Sequence, residues 1–184
     1  STREVERSEE LARDLAKASQ YVRSLLPVPL TEGPVRTDWS FQPSAQLGGD
    51  AFGCDQLDAE TFVFYLIDVS GHGVGAAMHS VSVLNVLRQR ALPSTDPRDP
   101  AQVLTGLNAM FQMDRHDGMF FTMWYGVYHV GARLLRYGCA GHHPAYLMPA
   151  DRATVLPLKT AGLMIGASPD ARFRSAEMEV PAGS

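Results

Sequence analysis

Apolar and polar positions fall into blocks along this chain, and the period of each block predicts its element. Over residues 3–26, Leu11, Leu15, Ala18, Val22 and Leu25 recur at helical spacing among Glu, Arg, Asp and Lys, the pattern of an amphipathic helix. Pro27 and Pro29 end it, because proline lacks an amide donor and disfavours helix at the residue before it. Residues 37–46, 51–57 and 61–68 read as strands, with Asp58-Ala59-Glu60 turning between the last two. Residues 75–92 carry Ala76, Ala77, Val81, Leu84, Val86, Leu87 and Leu92 on a broad buried face and predict a long helix. A proline-rich loop follows, and then a helix over 101–113, capped by Asp99 with Pro100 in its first turn. After the polar break 114–118, residues 119–130 and 133–138 predict a hairpin across Gly131-Ala132. Short strands are expected at 145–149, 154–158 and 173–180. Strands, a pair of helices and more strands favour an α+β fold of antiparallel sheets with helices laid against them.

With 184 residues, 45% of them hydrophobic and 20% charged, the chain has enough apolar material for one folded domain. Residues 1–30 are expected as a connector and residues 31–184 as the domain proper. The apolar stripe of the first helix either packs on the domain or joins it to an upstream domain or a second subunit. The connector reading is favoured, with a homodimer through this helix as its consequence. No apolar run approaches the roughly 20 residues that span a bilayer, and the charged start lacks a signal-peptide profile. A cytoplasmic protein is expected. The net charge of -4, without a basic cluster, argues against nucleic acid as a partner. Cys54 and Cys139 are isolated and read as free thiols.

Candidate chemistry centres on the strand-like run 62–67, which ends in Asp68-Val69-Ser70-Gly71-His72-Gly73. The run is apolar throughout, so Asp68 is delivered to a strand end beside core, and small turn-forming residues follow. Gly48-Gly49-Asp50 places a second acid ahead of another strand, so two acidic loops are positioned to converge. Mg2+ and Mn2+ take carboxylate, carbonyl and water ligands, and two carboxylates make half a site for them. Taken singly, Asp50 also suits a plain turn and Asp68 a helix cap. Ser70 has no base oriented at a nucleophile elbow and reads as a turn residue. His142 and His143 are adjacent, so on a strand they point apart; a structural turn near the site is the better reading. The apolar run 119–125 reads as core. Residues 71–75 lack a Walker lysine, which leaves nucleotide binding a weak option.

These motifs occur in order with Gly75-Ala76-Ala77, Ala140-Gly141-His142-His143-Pro144-Ala145 and Gly162-Leu163-Met164-Ile165-Gly166. Together they resemble the bacterial PPM-type protein phosphatases, in the branch of the sporulation phosphatase and the phosphatases that regulate stress-response sigma factors. The resemblance runs from about Leu25 to the end. It implies an antiparallel β-sandwich flanked by helix pairs, with a two-metal Mn2+ or Mg2+ centre at one end. By resemblance Asp50, Asp68 and the carbonyl of Val69 are metal ligands. His72 is a candidate general acid because imidazole titrates near neutrality and lies in the same loop, although its offset from Asp68 differs from that of the histidine in the eukaryotic relatives; fixing the loop by hydrogen bonding or sitting at the site mouth is the alternative. The implied reaction is hydrolysis of phosphoserine or phosphothreonine on a protein regulator such as an anti-sigma-factor antagonist, in the output domain of a bacterial signalling protein. The family also contributes aspartates from an Asp-Gly pattern in a C-terminal segment. Neither Asp151 nor Asp170 lies in that pattern, so the domain is expected to lack its C-terminal part. The alternative is a catalytically incompetent phosphatase-like module that binds a regulatory protein.

Overall fold

The structure, a computed structural model, describes residues 2–43 and 47–184. Helix α1 (Thr2–Ser24) leads into β1 (Asp50–Gln56), β2 (Thr61–Val69), α2 (Val74–Arg88) and α3 (Pro100–Met110). Strands β3 (Phe121–His129), β4 (Leu134–Ala140), β5 (Ala145–Leu147), β6 (Leu156–Leu158) and β7 (Ala176–Glu179) follow. The main sheet has five strands in the order β1-β2-β3-β4-β7, and β5 pairs with β6 in a second, two-stranded sheet. All the ladders are antiparallel, as the grouping of strands and helices predicts.

Alternation along β2 sorts its side chains onto two faces. Val63, Tyr65, Ile67 and Val69 join Val83, Leu84, Val103, Leu104 and Leu107 in the larger core, so α2 and α3 cover that face. The other face is only partly covered. There Trp124, Tyr137 and Cys139 pack with Leu158, Ala145 and Leu147 from the small sheet, while Leu66 stays 47% exposed.

Local chemistry sets the ends of both helices. The Asp99 carboxylate accepts from the amides of Ala101 and Gln102, which caps α3. Helix α2 stops earlier than its apolar pattern suggests. Arg90 turns left-handed at φ 53, its amide donates to Leu87 O and the Ala91 amide donates to Val86 O, a Schellman closure made without glycine. Helix α1 forms as predicted. Val22 and Leu15 pack with Leu47, Ala77 and Val81, whereas Val5 and Leu11 are exposed.

The strand expected at 37–46 does not form over residues 37–43, and Ser44, Ala45 and Gln46 lie outside the described residues. Thr37 folds back on Leu30 through Thr37 N to Leu30 O at 2.9 Å and Leu30 N to Thr37 Oγ1 at 2.8 Å. Trp39 and Phe41 alternate because both pack on Phe52. The pattern that suggests a ladder is here an aromatic cluster.

Candidate functional site

Strand register brings the two predicted acids together. Asp50 pairs directly with Asp68 across β1 and β2, and directly opposed residues in an antiparallel pair share a face. Both carboxylates therefore project from the partly covered face, at one end of the sheet. Burial first, then the charge of Asp68 and a side-chain hydrogen bond to it, hold the Asp50 carboxyl above its usual range. Two carboxylates this close oppose each other's ionisation, and a cation between them would remove the conflict.

The glycine before Asp50 is a geometric necessity. The Val69 amide donates to Gly49 O at 3.2 Å, and a Cβ on Gly49 would lie 2.7 Å from the Val69 carbonyl oxygen and 2.9 Å from Val69 Cβ. Only glycine permits that approach. It draws the Val69 carbonyl up to the residue next to Asp50. Carboxylate and carbonyl oxygens together are a donor set suited to hard divalent cations. Among the described residues, no group of three or more His, Cys, Asp or Glu side chains is placed to hold a metal.

The turn after β2 is braced from two sides. Gly71 and Gly73 take φ 83 and 85, and the Gly73 amide donates to Leu47 O at 3.1 Å. The Ser70 amide donates to Phe120 O at 2.9 Å, while Ser70 Oγ accepts from the Phe120 amide at 3.1 Å. Ser70 thus ties the turn to the start of β3, in keeping with a turn role. His72 is exposed at the crest.

A second polar group at this sheet end escapes local sequence reading. Thr122 on β3 lies opposite Asp68. Gly141, at φ 64, bridges to Met123 just past the end of β4. His142 is thereby set so that its Nδ1 lies 2.8 Å from Thr122 Oγ1. Burial lowers the His142 pKa; the Asp68 charge acts against that shift, and His143 and Lys159 add to it. His142 is therefore more than a turn residue, because its ring is hydrogen-bonded beside the acid pair. The signal for this is the cross-strand register, which no window of sequence contains.

The site is thus a pair of opposed carboxylates at the end of an antiparallel sheet backed by a helix pair. A profile of Stage II sporulation protein E (SpoIIE) matches residues 58–184, and the chain belongs to this family. It is 30% identical over 170 residues to "Phosphoserine phosphatase RsbP" of Bacillus subtilis, covering 90% of this chain and 41% of that protein. It is 29% identical over 141 residues to "Phosphoserine phosphatase RsbU" of the same organism, covering 77% of this chain and 41% of that protein. The chain thus spans about two fifths of the length of these curated relatives. Among solved structures, the SiaA-PP2C domain of Pseudomonas aeruginosa superposes with a TM-score of 0.74 at 20% identity, over 96% of this chain and 70% of that one. A SpoIIE structure from Bacillus subtilis, comprising the PP2C phosphatase domain and a fragment of the regulatory domain, gives a TM-score of 0.62 at 17% identity, over 73% of this chain and 38% of that one. These likenesses share the fold. Among the described residues no helix is long and apolar enough to cross a membrane.

Proposed function

We propose that this chain is the metal-binding part of a cytoplasmic protein phosphatase that hydrolyses phosphoserine or phosphothreonine on a regulatory protein such as an anti-sigma-factor antagonist. The observation that carries the reading is the direct pairing of Asp50 with Asp68 at the sheet end. Asp50, Asp68 and the Val69 carbonyl would hold Mn2+ or Mg2+. Bound there, the ions supply Lewis-acid activation of water and charge neutralisation at a phosphoryl group. The chain's own part is positional: Gly49 sets the spacing of the donors, and Ser70 with the glycine turn fixes the loop after Asp68. His72, exposed at the crest of that loop, is the candidate proton donor to the leaving oxygen.

Asp68→Asn tests the metal assignment, because it removes ligand charge at constant volume. Mn2+ affinity is expected to fall by at least about tenfold, in line with losing a carboxylate ligand, and any phosphoserine-peptide turnover is expected to fall with it. An unchanged Mn2+ titration would refute the assignment. The second reading is a phosphatase-like module that holds a regulatory protein without turnover. Metal binding at Asp68 together with no turnover of a phosphoserine peptide would select it.

A further inference from the structure

We propose that Thr122, His142 and Lys159 form a phosphoryl-binding subsite beside Asp68, in which the His142 Nε2–H and the Lys159 ammonium donate to oxygens of a phosphoserine dianion. This rests on the phosphatase reading and adds to it the groups that would receive the substrate's negative charge.

Lys159 is held by its neighbours on both sides. Trp124 Nε1 donates to Leu158 O at 3.0 Å, and the Cys139 amide donates to Thr160 Oγ1 at 2.7 Å. Leu158 is itself buried against Trp124, Tyr137 and Cys139. The backbone of Lys159 is thus fastened over β3 and β4, on the face that carries the acids, while its side chain stays exposed. Both anchors belong to β3 and β4, which also position Thr122 and His142. Burial raises the pKa of the Cys139 thiol and lowers that of the His142 ring; the Lys159 charge opposes the first shift and adds to the second, and no ion pair neutralises it among the described residues.

In the proposed subsite the Thr122 hydroxyl, 2.8 Å from His142 Nδ1, acts as the donor to that nitrogen. With Thr122 donating to Nδ1, the single proton of a neutral ring resides on Nε2, which is then a donor. Burial favours the neutral ring. A phosphoserine dianion beside the acid pair has oxygens left over from any cation there, and these can accept from positive or N–H partners elsewhere in the protein. A phosphate oxygen accepting from Lys or His makes a charge-assisted hydrogen bond, roughly twice as strong as a neutral one.

The test uses the whole chain with Mg2+ and free phosphoserine, with serine as the control. Calorimetry gives affinity and long-range 15N spectra of the imidazoles give the tautomer. Phosphoserine is expected to bind, serine is not, and Lys159→Ala or His142→Gln is expected to weaken phosphoserine binding roughly tenfold, the loss of one charge-assisted hydrogen bond. Lys159→Arg should restore most of the affinity. Thr122→Val should convert the His142 signal from a single Nε2–H tautomer to a mixture, which a role in packing alone would not do. Lys159 is exposed, so its variants keep the fold, and matching thermal melts verify this. Equal phosphoserine affinity in the original chain, Lys159→Ala and His142→Gln would overturn the subsite, as would failure of the original chain to bind phosphoserine. A parallel Mn2+ titration of Asp68→Asn separates the two ideas: if it loses metal while the Lys159 and His142 variants bind phosphoserine normally, the subsite fails and the metal centre stands.

Discussion

The two faces of the main sheet are built to different standards. On the helix side, Ile67, Phe121, Met123, Leu104 and Leu107 are fully enclosed, and the only unpartnered buried side-chain atom among the described residues is Nε2 of His79. On the acid side, like charges face each other and Leu66 remains half open to water. One face holds the fold together, while the other keeps a charge conflict that a bound cation would relieve.

Paired truncations should expose this difference most strongly. Leu104→Ala empties a fully buried position and is expected to cost about 2–5 kcal/mol. Leu66→Ala, on the open face, should stay within about 1 kcal/mol. Urea unfolding of both variants measures the difference, and equal losses would show that the faces are energetically alike. Gly49→Ala should come next. Its Cβ meets the Val69 backbone, so a loss of about 1–3 kcal/mol is expected from overpacking, together with a larger loss of Mn2+ affinity as Asp50 is pushed from Asp68. If stability falls while Mn2+ binds as before, Gly49 does not set the donor spacing.

A smaller effect concerns acid. His79 is 6% exposed and ringed by Phe111, His116 and Phe121. Burial first, and then His116, lower its pKa from the usual 6.5. A depressed histidine contributes stability in full above its unfolded value, and that contribution is lost as pH falls through the folded value. Stability should therefore decline below about pH 6.5, and His79→Leu should flatten the decline. An identical slope in the variant would assign it to other groups. The smallest effect is expected outside either face: Arg90→Gly relieves the left-handed closure of α2 and should stabilise by roughly 0.5–1 kcal/mol, read as a raised urea midpoint.

The parts legible in the sequence were those encoded by short-range period or by a local cap. The uninterrupted run ending at Asp68 marked β2 and its terminal acid, and Asp99 before Pro100 marked the start of α3. Gly48-Gly49-Asp50 flagged a loop, although the reason for Gly49 lies twenty residues away, at Val69. Residues 37–43 misled because alternating aromatics satisfy a cluster with Phe52 as well as they satisfy a ladder. The end of α2 was overrun because arginine gives no warning that it will occupy a glycine-type conformation. His142 was legible as a turn residue near the site but not as a polar group bonded beside the acids, because that depends on Thr122 standing opposite Asp68, a coincidence of three separate chain segments.

The placement of the tryptophans has a practical consequence. Trp39 packs on Phe52, two residues from Asp50, and Trp124 stands two residues from Thr122 with its indole fixed to Leu158. These are both indoles of the chain, and neither belongs to the helix-backed core. Tryptophan emission is therefore blind to one side of the molecule and tuned to the other, so a ligand arriving at the acids would be visible without any added dye.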